Sequence, residues 1–447
     1  MSASVPHMMR SSLSRALSVC LWIGLVLTTV QAEEVREAIP DRAPAGPFGS
    51  DPEDPSALAL EIEHRVNQKD SLFKVSPLKP FHDIVSGARK SLYDKTHLKL
   101  GATFAHLFQG ISDSLPGTDQ WGTATTVGIV GNWELINRKK PAQGNLYIKV
   151  EGRWNYGTTG PMSLGAQGLG SLANTGNTYE AYVPAFILRN IYWEQGSEKA
   201  GWAYRIGKMS PDAMLGTSRH MTPVTTFLSF AATGPFSIAL PDSGLGIAGA
   251  WYINDRVRIM GVASDANGLR FDWGDITAGD FFEALDFGVK LWPKTDKAGY
   301  SKLVIWHTDG TSDGRPVNGM AGPSGYGFFL LHEHELSDDG NKVLLLRYGH
   351  SFDESAFYRH QAGVAFMFYS PSLISGGIDN DLFAISLTWV DPTTAGSRPE
   401  YALEIFYRFP LFPGVDTTLH YHGVFNPALN PDSDYGTAIS LRIRWTF

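Results

Sequence analysis

The last eleven residues of the chain, Thr437 to Phe447, alternate without a break. Ile439, Leu441, Ile443, Trp445 and Phe447 fall on one face, and Ala438, Ser440, Arg442, Arg444 and Thr446 on the other. Successive side chains of a strand point to opposite faces, so this segment needs an apolar phase on one side and water on the other. One such strand suits a soluble sandwich as well as a membrane barrel. Repetition decides: the pattern recurs about sixteen times, and with an aromatic residue in last position it predicts an all-β fold, a transmembrane antiparallel β-barrel of about 16 strands with a short N-terminal helical segment.

Residues 1–32 read as a signal peptide. Arg10 and Arg15 supply the positive start, Ala16 to Val30 the apolar run, and Val30-Gln31-Ala32 a small-residue cleavage site, so cleavage is expected after Ala32. A lipoprotein signal at Cys20 is the poorer reading, because Cys20 stands inside the apolar run behind a large Val19. It is the single cysteine, which leaves the exported chain without thiols, as suits passage through an oxidising periplasm. Cleavage removes two of the 37 basic residues and none of the 45 acidic ones, taking the formal charge from −8 to −10. Without a basic patch, nucleic acid is not an expected partner.

After the signal no run of 18 apolar residues occurs, so no helix is expected to span a bilayer. Yet aromatics make up 12% of the chain, with 12 Trp and 17 Tyr. A membrane protein without apolar helices must close its sheet, since only then is every backbone group satisfied in lipid.

Residues 33–95 form an acidic, Pro-rich leader and a short helical segment. Its first part, 33–55, with Pro40, Pro44, Pro47, Pro52 and Pro55, is expected to be a flexible leader. Ser56 to Gln68 and Phe81 to Lys95 carry apolar residues at helical spacing. They either link the two regions or dock under or inside the barrel. The barrel is expected over 96–447, with strands running from about 97–109 through 144–157, 183–195 and 282–293 to about 435–447. Connections after even-numbered strands are mostly short, whereas Thr158 to Tyr182, Ser210 to Ser243, Asp265 to Phe281 and Asp309 to Pro323 are long and follow odd-numbered ones. That asymmetry predicts short periplasmic turns, long outer loops and both barrel termini on the periplasmic side of the cell outer membrane.

Period two assigns faces. Leu146, Ile148, Val150, Trp154 and Tyr156 would meet lipid while Tyr147, Lys149, Glu151, Arg153 and Asn155 point inward. Likewise Tyr401, Leu403, Ile405, Tyr407 and Phe409 point outward, and Glu404 and Arg408 inward. Charges on inner faces require water inside, and about sixteen strands enclose a channel wide enough to hold it. In Gly325 to Leu336 apolar residues occupy both faces, so its orientation stays open.

Three stretches resemble carbohydrate-selective porins of the OprB type: Trp202 to Met209, the Gly244–Asn254 segment followed by Val262 to Gly268, and Phe425 to Pro431 with Arg442 to Phe447. The resemblance covers roughly residues 95–447 and departs at the acidic leader. It implies a sixteen-stranded outer-membrane barrel that passes monosaccharides and other small polar solutes by diffusion, with a constriction built from inward loops and from charged and aromatic lumen residues.

Sugars present vicinal hydroxyls and an apolar ring face, so a selective channel wants donors and acceptors beside a flat aromatic surface. Arg153, Arg205, Arg408, Arg442 and Arg444 with Glu151, Asp286 and Glu404 are the candidate hydrogen-bonding groups, and Tyr147 and Tyr252 the candidate stacking surfaces. The competing reading is that these form ion-pair ladders holding the wall. The Ser210–Ser243 loop, with Met214, Arg219, His220, Met221 and Phe227 to Phe230, is too apolar for free solvent and is expected to fold into the barrel. Thr158 to Tyr182 is the second candidate constriction loop.

Several motifs are set aside. His332-Glu333-His334-Glu335 places two histidines on one face but fits an interfacial polar girdle better than a metal. His420 and His422 share a face without a third ligand in view, and the Asp309-to-Asp313 run lacks a closing glutamate for calcium. No GxSxG or local Ser/His pairing supports hydrolysis, so no enzyme activity, cofactor or metal is expected. The expected partners are carbohydrate solutes and outer-membrane lipid, with oligomeric state open. The alternatives are an anion- or carboxylate-preferring or general diffusion porin, a barrel hydrolase and a secreted β-rich binding protein.

Overall fold

The computed structural model describes residues 48, 71–73, 78–112, 114–218, 220–291, 299–311, 323–337, 340–374 and 380–446. The signal peptide, the Ser56–Gln68 helix, Arg219, Asp313 and Phe447, and all of the leader except Phe48, lie outside them.

Sixteen strands pair antiparallel with their sequence neighbours, and the first pairs with the last to close the barrel. They are β1 Leu98–Ile111, β2 Trp121–Ile136, β3 Gly144–Asn155, β4 Phe186–Ser197, β5 Trp202–Met209, β6 Gly244–Tyr252, β7 Val257–Asp265 and β8 Phe281–Lys290. The second half is β9 Tyr300–Gly310, β10 Pro323–Glu335, β11 Lys342–Ser351, β12 Tyr358–Tyr369, β13 Leu382–Pro392, β14 Glu400–Phe412, β15 Val415–Phe425 and β16 Tyr435–Thr446. Closure leaves no edge strand to satisfy. β4 begins three residues later than the periodicity predicts, because Pro184 has no N–H to give a ladder. The four connections expected to be long lie at one end and those at the other are mostly short, although β12 and β13 are joined at the short-turn end by a longer segment, 370–381.

Faces follow the alternation. Tyr147, Lys149, Glu151 and Arg153 are buried on the inner face of β3, while Leu146, Ile148 and Val150 are more open on the outer face. Ile206, Ile247, Leu285, Ile305, Leu330, Leu387, Leu419 and Ile439 are all exposed, an apolar belt around the outside. Exposed aromatics bracket it: Trp121, Tyr326, Phe352 and Tyr435 at the end with long connections, and Trp133, Trp202 and Trp251 at the other. Among the described residues no helix is long and apolar enough to cross a membrane. An apolar surface of this extent needs an apolar phase against it.

Among the described residues one helix, α1 (Lys79–Thr96), precedes the barrel, as the Phe81–Lys95 spacing predicts. It lies at the short-turn end, where Tyr93 donates to Glu134 Oε2 at 3.0 Å and Trp133 Nε1 donates to the Thr96 carbonyl at 2.9 Å. Its last turn ends on His97 in the left-handed conformation.

The Ser210–Ser243 connection does not cap the barrel; it runs inside, nearly all of it buried. This inward loop explains the apolar inner face of β10: Phe329 and Leu331 are buried in one cluster with Met214 and Leu215. Gly349 on β11 is a glycine for the same reason, since a Cβ there would strike Ser237.

Candidate functional site

The barrel wall grips the inward loop mainly by its main chain. Arg442 donates to the carbonyls of Pro223 at 3.0 Å and Thr226 at 2.9 Å, and Arg408 to that of Thr225 at 3.1 Å. Glu404 accepts from the amides of Leu228 at 2.7 Å and Ser229 at 2.8 Å. Gln361 donates to Ala231 and Gly234 and accepts from Ser237 N–H, and Lys302 donates to Thr217. A polypeptide inside a barrel carries backbone groups that must be paired, and side chains from four directions pair them. Glu400 does the same for the second predicted loop, accepting from the Ala173 amide and Ser171 Oγ, and it also accepts from the Ala428 amide of the β15–β16 connection.

Between this loop and the β3–β4 wall lies a cavity of about 360 Å³. Lys149, Glu151 and Arg153 line it from β3 and Arg189 from β4; Glu180 and Tyr182 come from the β3–β4 connection, Asp212 and Asp242 from the inward loop, and Arg270 and Phe271 from the β7–β8 connection. Arg189 reaches it through a β-bulge. Lys149 pairs with Asn190 and Val150 with Leu188, so Arg189 is the extra residue and parity reverses beyond it.

The charges are arranged in chains. Glu151 contacts Arg153 at 2.6 Å and Lys149 at 3.7 Å, and accepts from the Tyr182 hydroxyl at 2.8 Å. Arg270 donates to the same hydroxyl at 3.0 Å. Asp242, wholly buried, holds both Arg189 and Arg270, and Asp212 lies 3.4 Å from Arg189. The guanidinium carbons of Arg153 and Arg270 stand 4.5 and 5.2 Å from the Tyr182 ring centre, and Phe271 meets that ring edge-on at 5.6 Å. Burial pushes the Tyr182 hydroxyl up to about 12. Neutral over all ordinary pH, it stays a donor.

The arrangement thus offers fixed, paired charges of both signs beside the half-exposed ring of Phe271. The four cations Lys149, Arg153, Arg189 and Arg270 face the four anions Glu151, Glu180, Asp212 and Asp242. A site of this kind binds through many hydrogen bonds to groups of either polarity, without selecting for net charge.

Of the sequence-predicted residues, Glu151 and Arg153 line the cavity and so does Phe230, stacked on Phe236 at 3.5 Å. Arg408, Glu404 and Arg442 anchor the loop beside it. Arg444 lies 4.0 Å from Asp416, its register partner, and Asp286 lies 3.3 Å from Arg258. Arg205 binds Glu194 at 2.7 Å and stacks on Tyr192 at 4.0 Å, with Phe48 on another side at 5.0 Å. Tyr147 is 5.4 Å from Tyr192, and Tyr252 packs on the same cluster, which also contains Met214. His220 contacts the Tyr369 hydroxyl at 2.6 Å, and Phe227 packs edge-on against Phe406 at 4.9 Å. The cavity's Tyr182, Arg189, Asp212, Asp242, Arg270 and Phe271 were not singled out from sequence; all but Arg189 stand on connections whose folded path no local pattern gives.

No family model matches the chain, and no curated protein matches it. Solved structures do. The high-pH structure of Pseudomonas putida OprB superposes with a TM-score of 0.63 at 11% identity, over 85% of this chain and 99% of that one. The low-pH structure of the same protein gives 0.50 at 10% identity, over 81% and 96%. Such identities speak to architecture alone, and with the closed sixteen-strand sheet and its inward loop they place this chain in the porin fold.

Proposed function

We propose that this protein is an outer-membrane porin that lets small neutral carbohydrates, of glucose size, diffuse through its lumen. The observation that carries this reading is the cavity of about 360 Å³ beside Phe271, lined by charges of both signs in equal number together with apolar side chains, and held between the wall and an inward loop clamped at its backbone. Its volume is at the small end of the roughly 300–1,000 Å³ typical of small-molecule sites. Sugars need donors and acceptors in equal supply and an apolar face, and the cavity supplies both. An excess of one charge would favour ions instead. Contacts to a passing solute must also stay weak and multiple, because a tight site blocks its own flux. The exposed apolar belt with its aromatic borders suits an outer membrane, and the one-sided loop lengths suit termini on the periplasmic side. The Pseudomonas putida protein of the same fold supports the reading by architecture.

The test is solute entry into liposomes carrying the refolded chain, comparing glucose-sized sugars with amino acids and carboxylates of similar mass, alongside single-channel conductance. Sugars entering faster than both, at low ion conductance, are expected. Faster carboxylate entry would move the assignment to an anion channel, and absence of any flux would remove the channel reading.

A further inference from the structure

On the inner wall under the inward loop, three side chains meet that the permeation reading does not use as solute contacts. Glu404 of β14 stands directly opposite His422 of β15 in the strand register, and His420, two residues earlier, shares its face. Each offers one donor atom within 4.8 Å of the other two. Glu404 Oε1 lies 2.9 Å from His420 Nδ1 and 3.8 Å from His422 Nε2, and all three side chains are at most 2% exposed. Neither Nε2 atom has a hydrogen-bond partner among the described residues. Two imidazoles so deeply buried, each with an unsatisfied nitrogen beside a carboxylate, call for a partner. The sequence shows the two histidines on one face; the register supplies the third ligand.

We propose that Glu404, His420 and His422 bind one divalent cation of the zinc type. Two imidazole nitrogens and one carboxylate oxygen match the donor set of sites with three protein ligands and an open fourth position. Metal–ligand bonds of about 2.0–2.2 Å put tetrahedral donors roughly 3.3–3.5 Å apart, so closure by about an ångström completes the site. His420 then exchanges its Nδ1 contact with Glu404 for the metal or presents Nε2, remaining a neutral imidazole with its proton on the other nitrogen. Glu404 Oε2 keeps the Ser229 amide, so the cation fastens the wall to the loop at Leu228–Ser229. Arg442, whose charge acts on both Glu404 and His420, opposes a dication and keeps the affinity below that of an all-anionic site.

The experiment is calorimetric titration of the full refolded barrel in detergent with Zn(II), and with Co(II) followed by visible absorption. One equivalent is expected, with Co(II) bands of a tetrahedral, nitrogen-containing site. His422→Ala should weaken binding at least tenfold and abolish those bands, while the double variant His332→Ala/His334→Ala should keep them. Absence of saturable one-to-one binding by the unmodified protein overturns the proposal, as does binding that survives both His422→Ala and Glu404→Gln in barrels shown folded by heat-modifiable mobility. If His422→Ala fails to fold, His422→Gln is measured instead, and the Co(II) spectrum of the unmodified chain decides by itself.

Discussion

Tyr182 donates its hydroxyl proton to Glu151 Oε1 at 2.8 Å, joining a connection between strands to the inner wall of β3. Removing the hydroxyl in Tyr182→Phe leaves a buried carboxylate one donor short, and the barrel should lose about 1–3 kcal/mol in denaturant unfolding. Because burial holds the hydroxyl near 12, above the ordinary value of about 10 for tyrosine, its stabilising share is complete below about pH 10 and lost as pH rises through 12. Sugar flux should therefore be flat from about pH 6 to 9 as far as this group is concerned, and Tyr182→Phe should flatten any alkaline fall in stability. An unchanged alkaline limb in the variant would assign it elsewhere.

Asp242 holds Arg189 and Arg270 together in the cavity wall. Asp242→Asn leaves that wall with an uncompensated positive charge. Reversal potentials in a salt gradient should shift toward anion selectivity, with neutral-sugar entry changed far less, since charge location governs ionic preference. Stability should fall by about 3–5 kcal/mol, the cost of breaking a buried pair from one side. No shift in reversal potential would mean that ions do not pass this cavity.

Arg408 and Arg442 donate to main-chain carbonyls of the inward loop. Replacing both by Met forfeits about 1.5–3 kcal/mol for each charge-assisted bond. Conductance should rise, and disaccharides should enter proteoliposomes faster than through the parent. Unaltered size exclusion would show that another segment sets the aperture.

Gly349→Leu drives a side chain into the space of Ser237 and Phe329. Overpacking of this kind costs about 1–3 kcal/mol, and here the more mobile partner is the loop. The variant should refold as a barrel with parent-like circular dichroism but faster proteolysis between residues 210 and 243. Parent-like protease resistance would contradict the tight seating of the loop.

The barrel was legible because period two repeats in most of the strands, and a one-residue slip would turn Glu404 and Arg408 to the outside. Its main exceptions have local causes: Pro184 delays β4, and β10 carries Phe329 and Leu331 on its inner face to meet a loop that lies far off in sequence. The cavity was only half legible. Glu151 and Arg153 follow from alternation, but Arg189 is itself the extra residue of a bulge that reverses parity, and Asp212, Tyr182, Asp242 and Arg270 converge only because three connections fold inward. Strand rules describe direction along the wall and say nothing about a loop's destination.

The wall's hold on main-chain amides and carbonyls of the inward loop has an evolutionary corollary. A grip on atoms common to every residue type is indifferent to the side chains the loop displays. Away from the side chains that themselves brace the wall, such as Asp242, Phe227 and His220, substitutions in the loop can retune which solutes are favoured while the seat stays intact, so solute preference and barrel integrity are free to diverge at different rates there.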